Sequence, residues 1–290
     1  MTTTNSTRVG SALFDEGAEL HDPALYSPTA EAHQVATLAE IGPAEIAFYR
    51  ENGYLAVTQA FSDQEVKDAI DGIVSLLMGE HPDFEHVVFE ASARERLAEM
   101  GPDERMDVVR KIGVFEAHEP RLKAISQHAQ MLSVITKLLH GRTPEMFQDM
   151  ALLKPPLIGR EKPWHQDHAY FDYPLDTPVV GVWIALDEAT VDNGCMQILP
   201  GRHTGPIIHF KRRDWQICDR EIMGTQSVAV PLKPGGLLFF DGKLPHGTPH
   251  NTSPKRRRAL QFHYAPDDIH KAPPDERLVH FGSEGKDVSC

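Results

Sequence analysis

Cysteine is scarce in this chain of 290 residues. The three present, Cys195, Cys218 and Cys290, are an odd number without a Cys-x-x-Cys pair. This argues against a disulfide scaffold and fits a reducing compartment. Long apolar runs are missing too: none approaches the roughly 18 residues that a membrane-crossing helix needs. The opening MTTTNSTRVGSALFDEG lacks the basic start and apolar core of a secretory signal. The expectation is a soluble, cytoplasmic protein without a membrane partner. Positive charge is in deficit, with 29 Lys and Arg against 42 Asp and Glu and a net charge of −13. Nucleic-acid binders present a basic face, so nucleic acid is not an expected partner. Internal repeats and low-complexity tracts are absent. Of two local basic clusters, Lys211-Arg212-Arg213 reads as solvated loop charge; Lys255-Arg256-Arg257-Arg258 matters below.

Glycine (21) and proline (22) are plentiful and punctuate the chain. Residues 1–36 are polar and without sustained periodicity, and read as an irregular N-terminal arm. A helix is expected to open at Pro43, a favourable first-turn residue, and to stop at Gly53. YLAVTQAF (54–61) reads as a strand. Ser62 and Glu65 form a capping box for a helix whose Val66, Ile70, Ile73, Val74 and Leu77 face a core. Residues 80–142 read as further helix, broken at Pro82, Pro102 and Pro120. From about 145 to 266 short β-rich runs alternate with turns: MFQDMALLK, VVGVWIAL, GCMQILPG, SVAVPL, GGLLFF and RALQFHY. That pattern predicts a sandwich or barrel. Together the chain reads as α+β with a mainly β core, helices buttressing it, in a single domain over 37–290.

The stretch PWHQDHAYFDYP places His165 and Asp167 two residues apart. In an extended segment both project to one face and Gln166 to the other. A mononuclear Fe(II) oxygenase needs two histidines and a carboxylate on one face of the ion, with the other face left for co-substrate and O2. FFDGKLPHGTPHN supplies the distant histidine, His246, after an apolar strand. An isolated His-x-Asp is weak among 16 histidines, and His246 alone is more often structural; the set carries the reading. Eleven residues beyond His246 stands Arg257. A planar guanidinium suits the distal carboxylate of 2-oxoglutarate. By strand alternation Arg257 shares a face with Ala259 and Gln261, while Arg256 and Arg258 take the opposite one.

FYRENGYLAV, QDMALLKPP, WHQDHAYF, VWIALDEATVDNGCMQILPGRH and PHGTPHNTSPKRRRALQFHY, in this order, resemble the phytanoyl-CoA dioxygenase family of Fe(II)/2-oxoglutarate oxygenases, from about Ala44 to Tyr264. The resemblance implies a double-stranded β-helix, a jelly-roll barrel with helices outside. It implies Fe(II) on His165, Asp167 and His246, 2-oxoglutarate on Arg257, and O2 as oxidant. It also implies Met150, Gln166, Trp183, Thr248 and Lys111 in the co-substrate pocket. Core packing is an equal reading for Met150 and Trp183, and a turn for Thr248. Related halogenases carry a small residue at the position of Asp167, so the carboxylate favours oxygenation.

The substrate stays open between a small organic metabolite, which is favoured, and an acyl-CoA ester whose phosphates would meet Lys211–Arg213. The segment 201–226 is long for a plain connection and reads as a lid or binding loop. Trp215 there, and His168, Tyr170 and Phe171 beside the metal pair, are the candidate substrate contacts, with local packing an equal reading. A metal-binding jelly roll without O2 chemistry is the rival from another class. Oligomeric state is not legible.

Overall fold

The computed structural model describes residues 13–15 and 19–282. The remainder of the N-terminal arm and Cys290 lie outside the described residues. The helices are α1 (Pro43–Asn52), α2 (Asp63–Leu77), α3 (Pro102–Met106), α4 (Pro120–Ser126), α5 (Ala129–Leu138), α6 (Asp219–Ile222) and α7 (Pro274–Phe281). The strands are β1 (Leu13–Phe14), β2 (Ala30–Glu31), β3 (Gln34–Val35), β4 (Tyr54–Val57), β5 (Val87–Phe89), β6 (Val109–Gly113), β7 (Pro144–Lys154) and β8 (Lys162–His165). Then come β9 (Val180–Ala185), β10 (Met196–Ile198), β11 (His209–Lys211), β12 (Trp215–Ile217), β13 (Val228–Val230), β14 (Leu237–Asp241), β15 (His246–Thr248) and β16 (Arg257–Pro266).

Local chemistry sets the first helices. Pro43 opens α1, and Gly53 ends it in the left-handed conformation at φ 79°. The Ser62 hydroxyl accepts from the Glu65 N–H, and the Glu65 carboxylate accepts from the Ser62 N–H, starting α2. Val66 and Ile73 are buried, and Ile70, Val74 and Leu77 are half-buried against the same core. The expectation of helix across 80–142 is only partly met. Two strands, β5 and β6, interrupt it and join the main sheet.

The main sheet has nine strands in the order β1-β5-β6-β7-β16-β9-β14-β4-β3, and a second has five in the order β2-β13-β10-β15-β8. Alternation sends the two faces of the main sheet to different cores. Val180, Val182, Ile184, Leu237, Phe239, Leu260 and Phe262 pack with α1, α2, α4 and α5. The alternate residues Trp183, Ala185, Leu238, Phe240 and Ala259 pack against Met196, Ile198, Ala229 and Val230 of the second sheet and against Cys195 just before β10. The architecture is thus an α+β jelly roll, with helices on one side and the cleft between the sheets on the other.

The lead-in is knit to this body. β2 pairs with β13 and β3 with β4, and His21, Leu25 and Tyr26 are buried. Asp149, on β7, accepts the N–H groups of Val114, Phe115 and Glu116 at 2.7–2.9 Å, fixing the turn that leaves β6. Residues 201–226 are not a bare loop: the β11–β12 hairpin and α6 lie within them. Arg213, expected in solvent, is buried, with Nη1 3.0 Å from Glu161 and Nε 2.8 Å from Asp214. Cys195 is a buried free thiol. Cys218 is disulfide-bonded, which removes one support from the expectation of a reducing compartment.

Gly181 of β9 is a glycine by necessity. A Cβ there would lie 2.3 Å from Phe240 Cζ, and the Phe240 ring centroid is 4.8 Å from that of His246. Gly181→Ala is therefore expected to cost about 1–3 kcal/mol by overpacking and to push Phe240 against His246. Urea unfolding and metal titration of the variant check both effects.

Candidate metal centre

β15 pairs antiparallel with β8 so that His246 stands directly opposite His165. A direct cross-strand pair brings side chains together, and the two ring centroids are 4.2 Å apart. β8 ends at His165; Gln166 is extended at φ −111°, ψ 128°, and Asp167 begins a short 3-10 turn. Asp167 therefore follows His165 onto the same face. His165 Nε2 lies 3.2 Å from Asp167 Oδ1, and His246 Nε2 lies 3.6 Å from Oδ2. One ligand atom from each of the three buried residues falls within 4.8 Å of the others.

The tautomers suit a metal. His165 Nδ1 donates to the Pro163 carbonyl at 2.8 Å and His246 Nδ1 to that of Leu244 at 2.9 Å. Each Nε2 lone pair is thereby left to the centre. Burial pushes His246 down to about 3, with the proximity of His165 acting the same way, so it is neutral at neutral pH. Burial opposes ionisation of Asp167, but the imidazoles around it, His246 first and then His263 and His165, outweigh burial and hold the carboxyl well below its ordinary range. Two imidazoles that each present Nε2 and one carboxylate, converging and buried, are a donor set for a divalent cation with open positions.

A cavity of about 240 Å³ opens beside the triad. Met150, Trp183, Thr248, Arg257, Lys111, Tyr170 and Phe171 line it. Strand register explains the grouping, since Gln261 of β16 is flanked by Met150 of β7 and Trp183 of β9. Arg257 is buried, its guanidinium carbon 5.3 Å from the Trp183 ring centroid. Its Nη1 donates to the Leu152 carbonyl at 3.1 Å. Arg257 Nε and Trp183 Nε1 have no hydrogen-bond partner among the described residues. Burial pushes the Arg257 guanidinium down to about 10, still cationic at neutral pH. A buried cation and two orphaned donors facing a metal triad fit a carboxylate. The flanking arginines turn outward, Arg256 to Asp107 and Arg258 to Asp187. Burial and then the Lys162 ammonium push Lys111 below its ordinary value. Lys162 itself is held by Tyr170 Oη at 3.1 Å and Asp214 at 3.0 Å.

Gln166 does not join them. Its Nε2 donates to the carbonyls of Gly205 at 2.9 Å and Lys243 at 2.5 Å, and its Oε1 accepts the Ile207 N–H at 2.7 Å. Extended backbone turns this side chain away from the triad. His209 completes the staple, its Nε2 accepting the Gln166 N–H at 3.0 Å. The 205–209 segment is thus pinned to the residue between two ligands. Gln166→Ala leaves three backbone groups without partners and is expected to cost about 3 kcal/mol. Chemical denaturation checks this. His168 also faces away, stacked on Phe281 with centroids 5.9 Å apart. Trp215 packs with Ala169 and Phe281. Neither lines the cavity; Tyr170 and Phe171 do. Sequence reasoning passed over His263, His209, Lys162 and Asp214. Extending the alternation of β16 two residues past Gln261 reaches His263.

A jelly roll holding two histidines and an aspartate around one point is the class of mononuclear metal proteins to which the non-haem iron oxygenases belong. The family model described as Phytanoyl-CoA dioxygenase (PhyH) matches residues 49–259, more than half of the chain, and the protein belongs to that family. A curated relative, phytanoyl-CoA dioxygenase domain-containing protein 1 of Danio rerio, is 32% identical over 164 residues, covering 53% of this chain. The chain spans 56% of that relative's length. The peroxisomal phytanoyl-CoA dioxygenase of Rattus norvegicus is 28% identical over 236 residues, 76% of this chain and 67% of the relative. Among solved structures, EvdO2 from Micromonospora carbonacea complexed with 2-oxoglutarate is 27% identical with a TM-score of 0.63, covering 82% of this chain and 96% of that one. EctD from S. alaskensis, at 23% identity and a TM-score of 0.65 over 88% of this chain and 85% of its own, shares the fold. No helix among the described residues is long and apolar enough to cross a membrane.

Proposed function

We propose that this protein is an Fe(II)- and 2-oxoglutarate-dependent dioxygenase that hydroxylates an unactivated C–H bond of a small organic metabolite. The observation that carries the reading is Arg257, a buried cation with an orphaned Nε, in the cavity that also holds His165, Asp167 and His246. The three ligands would hold iron. Arg257 would receive the distal carboxylate of 2-oxoglutarate, with Trp183, Thr248, Met150 and Lys111 around it. Bound iron and co-substrate supply the oxidation of the C–H bond by O2, with succinate and CO2 released. The chain's own residues orient the co-substrate and shield the centre. Tyr170 and Phe171 wall the space left for substrate, and the Gln166 staple keeps the metal loop in place.

A small metabolite is favoured over an acyl-CoA ester because Arg213, the last cation of the basic cluster suited to phosphates, is tied to Glu161 and Asp214. Succinate release is the test. The protein, Fe(II), 2-oxoglutarate and O2 are incubated with a panel of small metabolites and, separately, an acyl-CoA. Succinate formed with a metabolite supports the reading. Succinate formed with the acyl-CoA alone moves the substrate class, and none with any compound counts against an oxygenase.

A further inference from the structure

His263 is an imidazole placed where an aromatic hydrocarbon would pack. It is fully buried on the inner face of β16, with the rings of Phe147, Phe171 and Phe240 at centroid distances of 6.0, 4.8 and 6.2 Å. Its Nδ1 has no partner among the described residues. Its Nε2 lies 2.7 Å from Asp167 Oδ2. A carboxylate only accepts, so Nε2 carries the proton and donates. Gln261, two residues earlier on the same face, donates from Nε2 to the same oxygen at 3.2 Å. The 3.3 Å approach between Gln261 Nε2 and His263 Nε2 is then a contact of two donors converging on one acceptor.

A carboxylate oxygen has two lone-pair sites, and these two donors fill both on Oδ2. Oδ1, 3.2 Å from His165 Nε2, is left to the centre. We propose that His263 and Gln261 are positioning residues that hold Asp167 to ligation through Oδ1 alone, a role resting on the metal-site reading above. The consequence is a coordination count. A carboxylate binding through both oxygens would take a position that co-substrate or O2 needs; a clamped Oδ2 keeps three open. Partners outside the ligand shell set ligand geometry in this way and commonly govern affinity.

Cobalt(II) alone is the probe, read by equilibrium titration and by its visible d–d spectrum, which reports coordination. His263→Phe suits the apolar surroundings and removes the donor; it is expected to weaken Co(II) binding roughly 10–100-fold and to change the spectrum. His263→Gln restores a donor and is expected to recover affinity and spectrum toward wild type. Gln261→Leu is expected to shift both in the same direction by less. Wild-type affinity and spectrum in folded His263→Phe would overturn the clamp, as would His263→Gln behaving like His263→Phe. Should His263→Phe not fold, unchanged binding by Gln261→Leu overturns it. Asp167→Ala separates the two readings: if it binds Co(II) like wild type, or wild type binds none, the metal site itself is wrong.

Discussion

Asp167→Ala is expected to lose iron and turnover together. The substitution removes the only charge the triad offers a divalent cation, leaving His165 and His246. Changes outside the ligand shell commonly cost 10–100-fold in affinity, so loss of a ligand should exceed about 100-fold. Anaerobic titration with Fe(II) measures it. The fold should survive. A buried carboxylate costs solvation, and removing it strands only the His263 and Gln261 donors, a penalty of about 1–3 kcal/mol per group. A cooperative thermal unfolding transition in the metal-free variant, lowered by no more than that penalty, would confirm that the loss is chemical. Iron binding at wild-type strength would remove Asp167 from the ligand set. His246→Ala should behave alike, because His246 faces His165 across the β8–β15 pair.

Arg257→Met should separate co-substrate from metal. Fe(II) binding without 2-oxoglutarate should be unchanged, since Arg257 is not a ligand. The dissociation constant of 2-oxoglutarate should rise roughly 30–150-fold, corresponding to about 2–3 kcal/mol for a charge-assisted contact. Arg257→Lys should recover only part of this, because an ammonium lacks the planar fork. The metal-free variant should be as stable as wild type or more so. Arg257 is a buried cation whose one hydrogen bond among the described residues goes to a carbonyl, and replacing such a charge with an apolar side chain is commonly neutral or stabilising. Lower stability together with unaltered 2-oxoglutarate affinity would make Arg257 a structural residue.

These expectations rest on two kinds of sequence signal that differ in reach. Alternation along single strands was legible. It placed Arg257 inward with Ala259 and Gln261, and Arg256 and Arg258 outward, as observed. It also set Gln166 opposite His165 and Asp167. There the family resemblance pointed to the co-substrate pocket, and the side chain follows alternation into the Gly205, Ile207 and Lys243 backbone. His168 was misplaced because the chain turns at Asp167, sending the imidazole to Phe281. The pairing of His165 with His246 depends on the register of strands some eighty residues apart, which no local pattern encodes. β6 was hidden because Val109–Gly113 is short, carries Arg110 and Lys111, and lies between prolines that punctuate helices. It becomes a strand only because β5 and β7 flank it, and it brings Lys111 to the cavity.

The central claim is that one cavity holds iron on His165, Asp167 and His246 while Arg257 holds 2-oxoglutarate against it. Anaerobic addition of Fe(II) and then 2-oxoglutarate, followed by visible absorption, tests it most directly. The account predicts a weak charge-transfer band on addition of the 2-oxo acid, absent from His246→Ala and requiring more 2-oxoglutarate in Arg257→Met. Iron demonstrably bound with no band at saturating 2-oxoglutarate would contradict it and leave a metal-binding jelly roll without this co-substrate.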